Sequence, residues 1–305
     1  MIAEQQLEPA PGLSWEGAEL NAEWLKAVRA QPGFLDAFME SNRMAEGVYR
    51  GERLLNVLTN DRGRFIVSIL ALYLHYEGRP GLSATRLRTL CADQGICSQG
   101  RAAALVTAMI WGGFLAPAPA GPRSDRRQRL LVPTQKLIDA HTHRWRRQLE
   151  IMQPIFPQTG QLLARFDDPG MVAAFAMTLG GAYLNGMRLA GHLGVADYFM
   201  DRNAGPLVLM SLVLGGEPGD SVPPRGWVTA SAAGLAKRFH VSRTHMATLL
   251  RDAVEAGYLE RQGQEPRYRI SPELAEGVQD FFASVYVMNA MTARDVMARM
   301  SQQAA

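Results

Sequence analysis

The feature that most constrains this chain is an internal repeat. Gln31-Pro32-Gly33-Phe34-Leu35-Asp36-Ala37-Phe38 resembles Asp168-Pro169-Gly170-Met171-Val172-Ala173-Ala174-Phe175, at an offset of 137 residues. Further on, the apolar run from Phe65 to Leu72 reads like that from Leu207 to Leu214. Ser98-Gln99-Gly100-Arg101 through Gly113-Phe114-Leu115 then matches Ser242-Arg243-Thr244-His245 through Gly257-Tyr258-Leu259, at an offset of 144. Leu131 to Thr134 corresponds to Arg269 to Pro272. The matches keep their order from end to end, which predicts a duplicated unit of about 140 residues. The expected units are 1–155 and 156–305, with a boundary near Pro154 to Gly160. A chain of 305 residues has the length for two ordinary domains, and 47% apolar residues are enough for a packed core.

The second unit carries the clearest motif. Ala233 to Phe239 reads as a short helix ending at His240-Val241. Ser242 is placed to cap a new helix, because its hydroxyl can accept from an orphan backbone N–H. Within that helix Met246, Leu249, Leu250 and Ala253 fall at i, i+3, i+4 and i+7, one apolar stripe. The opposite face shows Arg243, Thr244, Ala247, Thr248 and Arg251. Small, hydroxylated and Arg side chains near a helix N-terminus suit reading of the DNA major groove. Gly257 ends the helix, where a left-handed residue is favoured. Tyr258 to Arg261 and Arg267 to Ile270 then read as two short strands around a turn at Gln262 to Pro266.

The first unit repeats this plan. Leu87, Leu90 and Cys91 lie on the first helix of the pair, and Ser98 caps the second. Ala102, Leu105, Val106 and Met109 form the apolar stripe, with Gln99, Arg101, Ala103 and Thr107 on the outer face. Gly112-Gly113 stop the helix. A longer, proline-rich turn follows, ending in Arg123-Ser124-Asp125-Arg126-Arg127-Gln128-Arg129. The expected fold class is therefore mainly α with small β-wings: two winged helix-turn-helix modules, at about 62–137 and 204–271, and a helical pairing layer, arising by internal duplication. Both units end in a long helix, the second over Leu274 to Met300.

Both units resemble winged helix-turn-helix regulators of the MarR type. Asp125-Arg126-Arg127-Gln128-Arg129-Leu130-Leu131-Val132-Pro133-Thr134-Gln135-Lys136 resembles that family's wing signature, an Asp and Arg pair before an apolar strand and a Thr that caps the next helix. In the first unit Leu137 stands where the family has Gly soon after the capping Thr, and the second unit has no wing Asp and a shorter wing. The resemblance implies that the second helix of each pair enters the major groove and that a wing arginine approaches the minor groove or backbone. The DNA-binding residues it points to are Ser98, Gln99, Arg101, Arg123, Arg126, Arg127 and Arg129 in the first unit. In the second they are Ser242, Arg243, Thr244, His245 and Arg267. The expected function is a sequence-specific transcriptional regulator that binds double-stranded DNA and is not an enzyme. The alternative is a protein–protein module that has lost one or both DNA faces. The resemblance also implies a pseudo-dimer within one chain, or a homodimer, and a small-molecule effector bound between the pairing layer and a winged module.

Charge supports a polyanionic partner. Arg79 to Arg147 holds twelve Lys and Arg against three Asp and Glu, and Arg225 to Arg269 holds eight against four. The whole chain carries only +3, so the remainder stands at −10. Positive charge gathers on the two proposed modules, as a phosphate footprint requires. No nucleophile elbow, P-loop or dinucleotide fingerprint occurs, and no cofactor or metal site is expected. His141 and His143 are two residues apart on a helix, do not share a face, and read as surface groups. His75 and His192 read as packed residues, Gly180, Gly181 and Gly186 as close helix contacts, and Trp24, Trp111 and Trp145 as core or interface. Cys91 and Cys97 exclude a disulfide scaffold and read as small buried hydrophobes, with redox sensing as the other reading. Met1 to Pro11 is not expected to be a signal peptide, and the uncharged stretch Met171 to Met187 is expected to be a core helix rather than a membrane span. Cytoplasmic location is expected.

Overall fold

The computed structural model describes residues 12–51, 61–119, 129–187 and 194–304. The fold is mainly helical with two small antiparallel sheets. The first half runs α1 (Ala22–Arg29), α2 (Phe34–Gly51), α3 (Arg62–Tyr76), α4 (Ala84–Asp93), α5 (Gln99–Trp111), β1 (Leu115–Pro117), β2 (Leu131–Pro133) and α6 (Gln135–Met152). The second half runs α7 (Thr159–Leu163), α8 (Met171–Leu184), a single 3-10 turn at Gly194–Ala196, α9 (Asp197–Met200), α10 (Gly205–Leu214), β3 (Val228–Thr229), α11 (Ala232–Phe239), α12 (Arg243–Glu255), β4 (Leu259–Arg261), β5 (Arg267–Ile270) and α13 (Pro272–Ala304). From α3 to α6 and from α10 to α13 the elements follow the same order, a helix, a helix pair, a β-hairpin and a long helix, with β3 added between α10 and α11.

Local chemistry sets the ends of these elements. Ser83, Ser98, Ser231 and Ser242 each accept from the backbone N–H three residues on, opening α4, α5, α11 and α12. Thr134 behaves differently. It stands at the N-cap of α6, but its hydroxyl donates to the Gly113 carbonyl at 2.6 Å and makes no cap bond. The hydroxyl thus pins the helix to the end of α5. Gly113 and Gly257 close the two corresponding helices with φ of +70° and +75°. The hairpin β4–β5 pairs Leu259 with Ile270, and β1–β2 pairs Leu115 with Pro133. A third strand, β3, pairs with β5 through Val228 and Tyr268. In the first half a lone bridge between Ser83 and Leu130 occupies that place.

The helices of the two halves are exchanged. α1 and α2, from the first half, pack on α13 and α10 of the second. α7 and α8, from the second half, pack on α6 and α3 of the first. Ion pairs lock the exchange: Arg29 with Glu276 (3.0 Å) and Asp280 (3.2 Å), Arg62 with Asp197 (2.6 Å), and Arg238 with Glu46 (2.9 Å). In the buried centre, Ser41 of α2 shares a hydrogen bond with Tyr286 of α13 (2.9 Å), and Gln148 of α6 donates to the same hydroxyl (3.3 Å). The core is one continuous apolar cluster running through both halves. Gly180 lets α8 approach α3, because a Cβ there would lie 2.7 Å from the Tyr73 side chain. Gly186 has another role: its φ of +95° turns the chain after α8, and nothing lies close to it. No helix of the described residues is long and apolar enough to cross a membrane.

One expectation from the sequence is reversed, and Trp111 is shown to lie outside the core. His141 is buried, not at the surface, while His143 is exposed. The inward face of α6 carries Leu137, His141 and Trp145 at a spacing of four, so the period sends His141 into the core. Its Nε2 bonds Ser68 of α3 at 2.9 Å, and burial pushes its pKa down to about 3. Trp111 is 87% exposed at the end of α5, whereas Trp145 is buried and Trp24 stacks on Phe156.

Candidate nucleic-acid interface

Each helix pair presents its second helix with one face in the core and one in solvent. On α5, Ala102, Leu105, Val106 and Met109 are buried, as are Met246, Leu249, Leu250 and Ala253 on α12. The sequence spacing predicts both stripes. Ser98, Gln99, Gly100, Ala104 and Thr107 face solvent on α5. Ser242, Arg243, Thr244, Ala247 and Arg251 do so on α12. The turn before each helix is also shared. Ile96 N–H returns to the Cys91 carbonyl at 2.9 Å, and Val241 N–H to that of Ala236 at 3.1 Å. The left-handed residue in these turns is Gly95 in one and His240, at φ +54°, in the other.

The third residue of each exposed helix is held by a distant group, although the Arg101 side chain remains 45% exposed. Arg101 donates to Asp61 at 2.7 Å, and His245 Nε2 meets the Asn203 carbonyl at 2.8 Å. Asp61 caps α3, and Asn203 lies just before α10. The equivalent position in both halves therefore ties the exposed helix to the start of the helix behind it. The sequence reading did not single out Asp61, which caps α3 in the structure. The sequence holds no sign that Arg101, forty positions along, is its partner.

Gln99 and Arg243 occupy equivalent first positions of α5 and α12, and both are exposed with no hydrogen bond or ion pair among the described residues. The helix N-terminus beneath each carries partial positive charge, favourable to an anion. Among the described residues Arg129 is exposed and unpaired beside the first hairpin, and Arg267 on β5 is half-buried with an unpaired side chain. Lys237, which the sequence reading did not single out, is a further exposed cation on α11, unpaired among the described residues. Arg123, Arg126 and Arg127 lie outside the described residues. A groove of about 500 Å³ separates α12 from its hairpin, with Arg243, Arg251, Arg261 and Tyr268 along it. Arg251 is neutralised there by Asp252 (2.8 Å), and Arg261 donates to the Gln264 and Glu265 carbonyls, stiffening the hairpin turn.

A separate cavity of about 100 Å³ lies where the two halves meet. Phe65, Trp145, Met210 and Phe282 line it together with Arg62 and Arg144. It lies between the halves, not between one hairpin and the helical layer. Among the described residues no three His, Cys, Asp or Glu side chains gather as a metal site. No protein-family model, no curated protein and no solved structure matches this chain, so its functional reading rests on the geometry above.

Proposed function

We propose that this protein is a sequence-specific, double-stranded-DNA-binding transcriptional regulator. It is built as a pseudo-dimer of two winged helix-turn-helix modules, duplicated within one chain and resembling the MarR type. The carrying observation is the pair of Ser-capped helices, α5 and α12, each with a free polar residue at its first position, Gln99 and Arg243. The reciprocal exchange of helices between halves supports the pairing layer. Each exposed helix enters a major groove. Gln suits adenine and Arg suits guanine. Because the two helices differ at this equivalent position, the preferred site is an imperfect palindrome. Arg129, Lys237 and Arg267 take phosphates, and the wing arginines Arg126 and Arg127 complete the first module's contacts. A small-molecule effector would enter the cavity between the halves, lined by Arg62 and Arg144, and change the separation of the two modules.

The second reading is a protein–protein module, and Trp111 favours it. Trp111 and Ile110 expose apolar surface at the end of α5, where phosphate contact gains nothing from it. Fluorescence anisotropy separates the two readings. The duplex comes from upstream of the protein's own gene, with a scrambled duplex as control, each at two salt concentrations. The DNA reading expects tight, sequence-selective binding that weakens steeply with salt and is reduced by Arg243→Ala and by Arg126→Ala/Arg127→Ala. Weak binding, indifferent to salt and to both variants, would leave the protein–protein reading.

A further inference from the structure

We propose that Cys91 and Cys97 are a reversible redox pair, which a hydroperoxide converts to an intramolecular disulfide across the turn between α4 and α5. The geometry brings them together. Cys91 is the buried residue near the end of α4, and the chain reverses at once through Gly95, at φ +65°. Ile96 N–H and Cys97 N–H both return to the Cys91 carbonyl, at 2.9 and 3.4 Å. That return sets the main chains of Cys91 and Cys97 side by side across the turn. The two thiols lie close enough to influence each other's ionisation. Both are free thiols.

The two sulfurs have different roles. Cys91 is fully buried, and burial, followed by the neighbouring Cys97, pushes its pKa up to about 12. Cys97 is half-buried; burial raises its pKa too, but Arg101 and the Cys91 S–H both favour its thiolate, against the opposing Asp61. Cys97 is therefore the attacking sulfur. Its thiolate displaces hydroxide from hydrogen peroxide and becomes a sulfenic acid. The Cys91 sulfur then attacks that sulfur, the S–S bond forms, and water leaves. Two thiols lose two hydrogens in all, and one peroxide is reduced to two waters. The reaction is slow at neutral pH, because burial keeps both thiols largely protonated. The residue after Cys97 is Ser98, the cap of α5, so drawing the sulfurs to bonding distance moves the start of that helix. Any effect on DNA affinity rests on the reading above. The disulfide chemistry does not.

The test treats the reduced full-length protein with hydrogen peroxide and follows the tryptic peptide from Thr89 to Arg101, which holds both cysteines. The expected result is loss of two hydrogens from that peptide, regained on adding dithiothreitol. Cys97→Ser should show no such loss. Cys91→Ser should leave a sulfenic acid at Cys97 that dimedone traps. An unchanged peptide, oxygen added at either sulfur without a cross-link, or a disulfide between chains would each overturn the proposal. Anisotropy on the oxidised protein is a separate readout. A disulfide that forms without altering DNA binding would count against α5 as a reading helix and leave the redox pair standing.

Discussion

Asp61 is the point where the first module is fastened, and replacing it gives a graded prediction. Its carboxylate is 1% exposed. One oxygen accepts the Arg64 backbone N–H at 3.0 Å and caps α3. The other receives Arg101 at 2.7 Å. Arg64 Nε lies 2.9 Å from that oxygen, with its N–H aimed off the oxygen. Asp61→Asn keeps a cap acceptor and removes the charge. The Arg101 side chain is 45% exposed, so solvent limits that pair to about 0.5–1 kcal/mol. The poorly aligned Arg64 contact adds about 1 kcal/mol, and Asn should therefore cost about 2 kcal/mol. Asp61→Ala also removes the cap, worth about 1 kcal/mol more. Urea unfolding followed by far-UV circular dichroism measures both. Arg101→Ala alone should cost under about 1 kcal/mol, and close to nothing in the Asp61→Asn background. An Asn variant as stable as the parent, or Asn and Ala variants of equal stability, would refute this account of the tether.

Four further outcomes follow from the geometry. His240→Gly should stabilise the fold by about 1 kcal/mol, read in a thermal melt, because His240 holds a left-handed φ of +54° that glycine adopts without strain. Gly180→Ala should destabilise by about 1–2 kcal/mol through its clash with Tyr73, while Gly181→Ala, with no neighbour closer than 3.8 Å, should be neutral or better. His141 binds its proton in the unfolded chain below the usual pKa of 6.5 but in the folded protein only near 3. Its contribution to stability is thus full above pH 6.5 and is lost as pH falls toward 3, at up to about 1.4 kcal/mol per pH unit, and unfolding titrations of His141→Leu should lack that slope. On DNA, Arg243→Ala should lower affinity for the specific duplex about tenfold or more, and Arg101→Ala far less, because Asp61 holds the Arg101 guanidinium.

The helix pairs and hairpins were legible in the sequence because their signals are local. A serine before an apolar stripe of period 3.6 predicts Ser98 and Ser242 as caps, and both cap. A glycine after each stripe predicts the left-handed stops at Gly113 and Gly257. Repeated matches in constant order predicted that the same elements would recur, and the helix pair, hairpin and long helix do recur in that order. His141 was misplaced because an i, i+2 argument says which residues share a face but not which face is covered. The neighbours that cover it, Ser68 and Phe65, belong to α3.

Tertiary structure decided everything that depends on partners distant along the chain. It turned Arg101 and His245, which local reasoning faced toward solvent, onto Asp61 and Asn203. It left Trp111 in solvent, although a tryptophan at a helix end is usually covered. It exchanged α1 and α2 with α7 and α8 between the halves, a choice that hydrophobic periodicity cannot express. The physical reason is the same in each case. Caps, stripes and turns are set by interactions within a few residues, which the sequence carries directly. The direction of a long side chain, or the surface an apolar helix covers, is set by whichever distant group lowers the free energy of the whole fold.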